Sequence, residues 1–271
     1  MAITLNIIGA GHVGPVLGRL FAACGAFEVQ DVLTRSEASA LDAVAFIGAG
    51  RAVAQMGQLR AAGVTMLAVG DDQIGPVCAQ LAATLPLAGA LVFHCSGAKS
   101  SAELKPARDA GAMTASAHPV RSFADRDTVL RNFAGTWVGI EGDGPALELL
   151  NDALLAIGAR TVPIDAAAKT VYHAASVFAS NYLVTLMDAA LRAYQAAGIP
   201  EAVAREMARP LATETLENVL RLGPEAALSG PIARGDFATV ARQQAAVAEW
   251  DSATGALYQA LVAPTTALAR R

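Results

Sequence analysis

The residues most able to do chemistry in this chain fall into two groups, a glycine-rich turn near the start and a few basic side chains further on. Gly9-Ala10-Gly11-His12-Val13-Gly14 fits G-x-G-x-x-G, between a run that reads as a strand, Ile3–Ile8, and one that reads as a helix, Val13–Cys24. That setting suits a pyrophosphate. The first glycine permits the tight turn, the second lets backbone amides approach, and the third allows close helix packing, while the helix N-terminus adds the positive end of its dipole. About 20 residues past such glycines, an NAD site carries a carboxylate for the ribose 2′-hydroxyl. Here Thr34-Arg35-Ser36 stands at the end of the second strand, with no carboxylate before Glu37. A guanidinium with two hydroxyls suits a 2′-phosphate, so NADP(H) is the expected cofactor.

The second group begins with an imbalance. Of the 20 basic residues 17 are arginine, and the lysines are Lys99, Lys105 and Lys169. Lys169, His173, Ser176 and Ser180 fall within about 60° of one another on a helical wheel and form one stripe on an apolar helix. A solvated face is the ordinary reading of such a lysine. A lysine desolvated in a cleft instead has its pKa depressed and can act as general acid or base, with His173 one turn away. His118, before Pro119, is a second acid/base candidate, and Ser96 with Gly97 is the expected floor of the cleft.

A parallel sheet must position these groups. Strands are expected at Ile3–Ile8, Val29–Leu33, Val64–Val69, Ala90–His94, Met113–Ser116, Thr136–Ile140 and Thr161–Ile164, with helices between them. Ser36–Arg60 is ambiguous, because Ala43–Ile47 reads as a helix end or a strand. Ligands of open α/β sheets bind beyond the carboxyl ends of the strands. Gly9–Gly14, Thr34–Ser36, Gly70-Asp71-Asp72, His94–Gly97 and Ala117–Pro119 all follow a strand, so one edge should gather them. Gly70 and Asp71 thereby join the cofactor candidates, although Asp71-Asp72 could equally cap a helix. Ser100-Ser101-Ala102-Glu103 fits a capping box and should aim a helix N-terminus, suited to a carboxylate or carboxamide, into the cleft. From Ala166 onward only helices are expected, one long pattern to Ala197, another at Glu201–Leu222 and a last group over 236–269. The expected boundary separates 1–164, a doubly wound dinucleotide-binding domain, from 165–271, an all-helical substrate and dimerisation domain.

Composition limits the function classes. The formal net charge of −4 argues against nucleic acid as a partner. The apolar fraction of 54% and mean hydropathy of +0.41 reflect 62 alanines rather than bulky side chains, and neither a spanning segment nor a secretory signal is expected. Cys24, Cys78 and Cys95 share no metal-type spacing; they read as buried thiols in a reducing cytoplasm, and no metal is expected.

Several motifs together resemble one family: the G-x-G-x-x-G start, His94-Cys95-Ser96-Gly97-Ala98, Ser116-Ala117-His118-Pro119 followed by Phe123, Lys169-Thr170-Val171-Tyr172-His173 with Asn181, and the loop Gly230–Asp236. They are similar to the Rossmann-like oxidoreductases whose second half is domain of unknown function 2520, across nearly the whole chain. More distantly the chain resembles β-hydroxyacid dehydrogenases, 6-phosphogluconate dehydrogenase, ketopantoate reductase and pyrroline-5-carboxylate reductase. The resemblance implies a Rossmann NADP domain followed by a 6-phosphogluconate-dehydrogenase-like helical domain that commonly forms homodimers. It also implies that Lys169 matches the acid/base lysine of the β-hydroxyacid dehydrogenases, with His173 where they carry an amide. Glycine at position 70 replaces the proline usual in the nearer family. The expected activity is hydride transfer between nicotinamide and a small, anionic hydroxy/keto or imine compound. Lys169 would move the proton, with His173, Ser96 and His118 around the substrate. A non-catalytic NADP(H)-binding sensor is the alternative.

Overall fold

The structure, a computed structural model, describes residues 2–271. The first part of the chain alternates strands and helices: β1 (Thr4–Ile8), α1 (Val13–Cys24), β2 (Glu28–Leu33), α2 (Glu37–Ile47), β3 (Arg51–Val53), β4 (Val64–Leu67), α3 (Ile74–Thr84), β5 (Leu91–His94), α4 (Lys105–Asp109), β6 (Met113–Pro119), α5 (Arg126–Arg131), β7 (Trp137–Gly142), α6 (Gly144–Ala156) and β8 (Arg160–Pro163). They form one eight-stranded sheet in the order β3-β2-β1-β4-β5-β6-β7-β8. Every neighbouring pair is parallel except β6 and β7. The order reverses between β1 and β4, which places the ligand crevice of a doubly wound sheet there. Apolar clusters line both faces: Leu5, Ile7, Phe21, Met66 and Phe93 lie in one, and Ile8, Leu67, Ile74 and Leu104 in the other. Burial on both faces explains the unbroken apolar runs of the central strands.

In the ambiguous segment Ser36–Arg60, the run Ala43–Ile47 is the end of a helix and not a strand. Ser36 caps α2 by accepting from the Ser39 amide at 3.3 Å, and Gly48 closes the helix in the left-handed conformation at φ +78°. The short edge strand β3 then follows; sequence periodicity missed it because three residues show no alternation. Its sheet edge is fastened by Asp31, which is fully buried and accepts from Arg51 and Arg60 at 2.9 and 2.8 Å. Burial opposes ionisation there, yet the two guanidiniums hold the carboxyl at a pKa of about 2.

Contacts group the chain into two compact units, one running through Ala179 and the other from Ser180 to Arg271. The sheet ends at Pro163, but contacts divide the chain after Ala179 rather than after residue 164, because α7 (Lys169–Ala179) groups with the first unit. The physical tie is Lys169, which reaches back to the sheet edge. The single long helix expected over Ala166–Ala197 is interrupted at Ser180, whose φ and ψ are −127° and −72°.

The second unit contains α8 (Asn181–Ala196), α9 (Glu201–Leu222), α10 (Pro224–Ala227), α11 (Phe237–Trp250) and α12 (Ser252–Leu268). α9 continues through Pro210. Asp236 and Asp251 cap α11 and α12, accepting from the amides of Thr239 and Thr254. Arg192 on α8 reaches Asp251 at 3.0 Å and Thr254 at 3.0 Å. Alanine serves close approach here: a Cβ on Gly255 would stand 2.5 Å from the Ala248 Cα. No spanning segment is expected from the sequence, yet the run Ala166–Ala196 is long and apolar enough to cross a membrane by length and composition. Thr170–Met187 holds no acidic or basic side chain apart from His173, and Tyr172, Ser176, Ser180 and Asn181 interrupt its apolar character.

Candidate active site

At the carboxyl ends of β1 and β4 the glycine turn takes the form its spacing implies. Gly9 adopts φ +98°, and a Cβ there would collide with the Ala68 carbonyl. Gly14 is buried, and a Cβ on it would lie 2.6 Å from the Gly9 carbonyl oxygen, so the third glycine sets the helix-to-strand approach. Gly11 is exposed, and its Cβ would meet nothing within 4 Å. α1 starts at His12 with no side-chain cap and no acidic residue in its first turn, so its leading amides are open to an anion. A cavity of about 910 Å³ adjoins this turn; Gly9, Ala10, Gly11, Thr34, Arg35 and Gly70 line it. Uncapped amides, glycine clearance and an adjoining guanidinium fit a dinucleotide. The remaining cofactor candidates are not among that lining: His12 and Val13 open α1, Ser36 caps α2, Asp71 follows β4 between two lining residues, and Ser96 and Gly97 follow β5.

Asp71 and Asp72 do not cap α3: the short turn at Asp71–Gln73 precedes it, and neither carboxylate accepts from the helix amides. The Asp71 charge does act on Lys169, His94 and His118, raising the pKa of each.

Beyond β5 the chain turns through a loop held by His94, which is fully buried. Its Nδ1 accepts from the Ser96 amide at 3.1 Å, so Nε2 carries the proton towards the Ser100 carbonyl at 3.0 Å. Burial pushes this imidazole down to a pKa of about 4 and keeps it neutral. The Ser96 hydroxyl accepts from the Ala98 and Lys99 amides at 3.2 and 3.0 Å, which occupies it inside the loop. The expected capping box is not formed. Glu103 pairs with Lys99 at 3.0 Å, and the buried Glu141 of β7 reaches over to accept from the Ser101 amide at 2.6 Å and its hydroxyl at 2.8 Å. The anion site expected at this helix start is therefore already filled by a carboxylate of the protein.

The three lysines separate cleanly. Lys99 and Lys105 are solvated i,i+4 partners of Glu103 and Asp109. Lys169 is only 2% exposed; its Nζ donates to the Ser96 carbonyl at 2.7 Å and to the Ser116 hydroxyl. Desolvation pushes its pKa down, opposed by the charges of Glu141 and Asp71. The nearby Cys95 thiol is driven up to about 12 by burial and is inert. Cys24, by contrast, is exposed, not buried as expected.

His118 lies inside β6 rather than after it, because β6 runs on to Pro119 while pairing antiparallel with β7; His118 sits opposite Gly139. Its Nδ1 is 2.9 Å from the Tyr172 hydroxyl, and its ring meets that of His173 edge-to-face at 5.3 Å between centroids. Burial, His173 and Lys169 depress its pKa to about 4. Two glycines make room for this packing. A Cβ on Gly97 would strike His173 Nδ1 and stand 2.8 Å from His118 Nε2, and a Cβ on Gly139 would stand 2.5 Å from the Tyr172 hydroxyl. Of the polar stripe, Lys169 and His173 come into the cluster, Ser176 is half-buried, and Ser180 is exposed in the break after α7. Tyr172, Ser116 and Glu141 were missed as site residues. The adjacency of Tyr172 to His173 was visible, but their partners on β6 and β7 were not.

A model for domain of unknown function 2520 matches residues 136–265, and one for a Rossmann-like domain matches residues 1–119. No curated protein gives a significant sequence match. Among solved structures, BF3122 of Bacteroides fragilis, named as a candidate NADP oxidoreductase, superposes with a TM-score of 0.81 at 19% identity over 98% of both chains. The protein TM1727 of Thermotoga maritima gives 0.75 at 27% identity over 98% of both chains. The reductive aminase of Aspergillus terreus, solved with NADPH and ethyl levulinate, gives 0.69 at 16% identity over 100% of this chain and 94% of that one. A Rossmann-like match over residues 1–119 thus adjoins a domain of unknown function 2520 match over 136–265, and the doubly wound sheet agrees with the first.

Proposed function

We propose that this protein is an NADP(H)-dependent oxidoreductase that interconverts a small carbonyl or imine compound with its reduced form. The observation that carries this reading is the shared sheet edge. An uncapped, glycine-lined helix start and a cluster of the buried Lys169 with the half-buried His118, Tyr172 and His173 both lie towards the carboxyl ends of its central strands. Gly9–Gly11 and the α1 amides would hold the pyrophosphate, with Arg35, Thr34 and Ser39 lining the cavity where a ribose 2′-phosphate belongs. A bound reduced dinucleotide would supply the hydride. Lys169 fixes the Ser96 carbonyl and Ser116 against each other beside His118, while His118 and His173 handle the proton. The likeness to NADP(H) enzymes, the reductive aminase among them, supports the same reading.

Two substitutions test it. Arg35→Ala should weaken NADPH by about 1.5–3 kcal/mol and leave NADH unchanged, measured by fluorescence titration; an unaltered preference rules out NADP selection by Arg35. Lys169→Met should lower turnover of a carbonyl and imine panel more than tenfold, the loss of at least about 1.4 kcal/mol of barrier stabilisation. NADPH binding without turnover of any panel member would leave the sensor reading in its place.

We infer as well that a second copy of the chain covers the exposed apolar side chains of α8 and α9, among them Leu183, Val184, Leu211, Leu216 and Leu220. Light scattering should give twice the chain mass, and Val184→Glu with Leu216→Glu should return it to one.

A further inference from the structure

The cluster contains one hydrogen bond that the functional reading does not use, between the Tyr172 hydroxyl and His118 Nδ1 at 2.9 Å. Its surroundings give it a direction. Burial raises the Tyr172 pKa and keeps the phenol protonated, Gly139 leaves room for its oxygen, and His118 Nδ1 is its hydrogen-bond partner; a phenol is the stronger acid of that pair, so its proton is directed at the imidazole. An imidazole that accepts at Nδ1 carries its own proton at Nε2. The other end of the ring is open. Among the described residues the sealed side-chain polar atom with no partner is His173 Nδ1, whereas His118 Nε2 has no protein partner and is not sealed. Lys169, by contrast, is buried and spends two N–H groups on Ser96 and Ser116.

We propose that Tyr172 and His118 form a proton relay serving a carbonyl substrate, with His118 Nε2 as the atom that meets the substrate oxygen and Tyr172 as the positioning residue and proton reserve behind it. The proposal rests on the reductase reading and narrows its substrate class from carbonyl or imine to carbonyl. The step balances as follows. A bound reduced dinucleotide would supply the hydride to the carbonyl carbon, and the C=O π pair would move to oxygen. That oxygen takes the Nε2 proton of His118. Nδ1 takes the Tyr172 proton, and the phenolate left over Gly139 regains a proton from water. An alkoxide is basic enough to draw a proton through a neutral imidazole. A protonated imine, which becomes an amine on reduction, needs no such donor.

The groups facing His118 favour a neutral ring. His173 and Lys169 from α7 disfavour the imidazolium, as does burial, and only the Asp71 charge opposes them. A ring that is neutral at pH 7 cannot act as a simple imidazolium acid and needs a hydroxyl behind it.

The first test needs no ligand. Nitrogen-15 spectra of the imidazoles in the whole protein should show His118 neutral with its proton on Nε2 between pH 5.5 and 8, values set about the ordinary histidine pKa of roughly 6.5. Tyr172→Phe should lose that preference and give a mixture of tautomers. A wild-type ring protonated on Nδ1, or an unchanged tautomer in Tyr172→Phe, overturns the relay. The second test is kinetic, with NADPH and a panel of small aldehydes and ketones. Tyr172→Phe should lower kcat about tenfold to a hundredfold with KM and NADPH affinity unchanged. The wild-type rate should stay level through pH 6–8; a rate that falls there as an imidazolium deprotonates, or a kcat within twofold in Tyr172→Phe, overturns the relay. A protein that binds NADPH and reduces nothing in the panel overturns the reductase reading and, with it, the transfer step. The tautomer result still decides the hydrogen-bond geometry separately.

Discussion

The turn that opens α1 and the turn that begins at Ser101 follow β1 and β5, two strands on either side of β4, and both present backbone amides at the same edge of the sheet. At α1 no side chain caps the amides and no acid stands in the first turn. At Ser101 a carboxylate from another strand fills the place: Glu141 accepts from both the amide and the hydroxyl. One start is left for a ligand, and the other is closed by the protein, although the sequence shows glycines at the first and a plausible local cap at the second. What separates them is the long-range partner. A helix end is a ligand site only when the fold has not already supplied the anion.

Breaking the closed end should have the largest effect. Glu141→Ala leaves the Ser101 amide unsatisfied and removes a negative charge that supports Lys169, at a cost of about 2–4 kcal/mol in thermal or urea unfolding. A loss below about 0.5 kcal/mol would place that carboxylate among ordinary surface groups.

Acid should loosen the same loop next. His94 has its pKa lowered from 6.5 to about 4 by burial, so the unfolded chain binds its proton first as the pH falls. The neutral form therefore stabilises the fold fully above pH 6.5, and that contribution drains away down to pH 4, at about 1.4 kcal/mol per pH unit. Asp31, at about 2, begins to act only below its ordinary 3.8, outside that window. His118, lowered to about 4 as well, acts over the same window, so replacing His94 with Gln should make the decline shallower without abolishing it, read from melting temperatures across the window.

The smallest effect sharpens the open end. His12→Asp would place a charged cap on α1, stabilising the helix by about 0.5–1 kcal/mol while weakening NADPH about tenfold. Opposite signs in the two measurements are expected; a gain in both would remove the α1 amides from the dinucleotide site.

Local signals made much of this legible before the fold was seen. The glycine turn, the strand after it and the Thr34–Ser36 corner are short-range features, and they sit as spacing and propensity require. The helical wheel brought Lys169 and His173 together because α7 is a regular helix, and it carried the stripe too far because Ser180 leaves that helix. What could not be read is what crosses the sheet. β6 outlasts its apolar run by pairing with β7, and that pairing alone sets His118 opposite Gly139. Tyr172 finds its partner 54 positions earlier in the chain, and Glu141 finds Ser101 40 positions earlier. No periodicity encodes such separations.

The anchoring of α7 carries one more consequence, in the order of events as the chain folds. The Lys169 ammonium is bonded to residues 73 and 53 positions earlier in the chain, one on the β5 loop and one on β6. Closing loops of that size is entropically costly until both acceptors already stand side by side. The α7 helix should therefore dock late, onto a finished sheet, and the proton-handling cluster should come into being all at once rather than residue by residue. In hydrogen-exchange terms, the α7 amides should open together with the β5–β6 edge, while the glycine turn at β1 keeps its own, earlier protection.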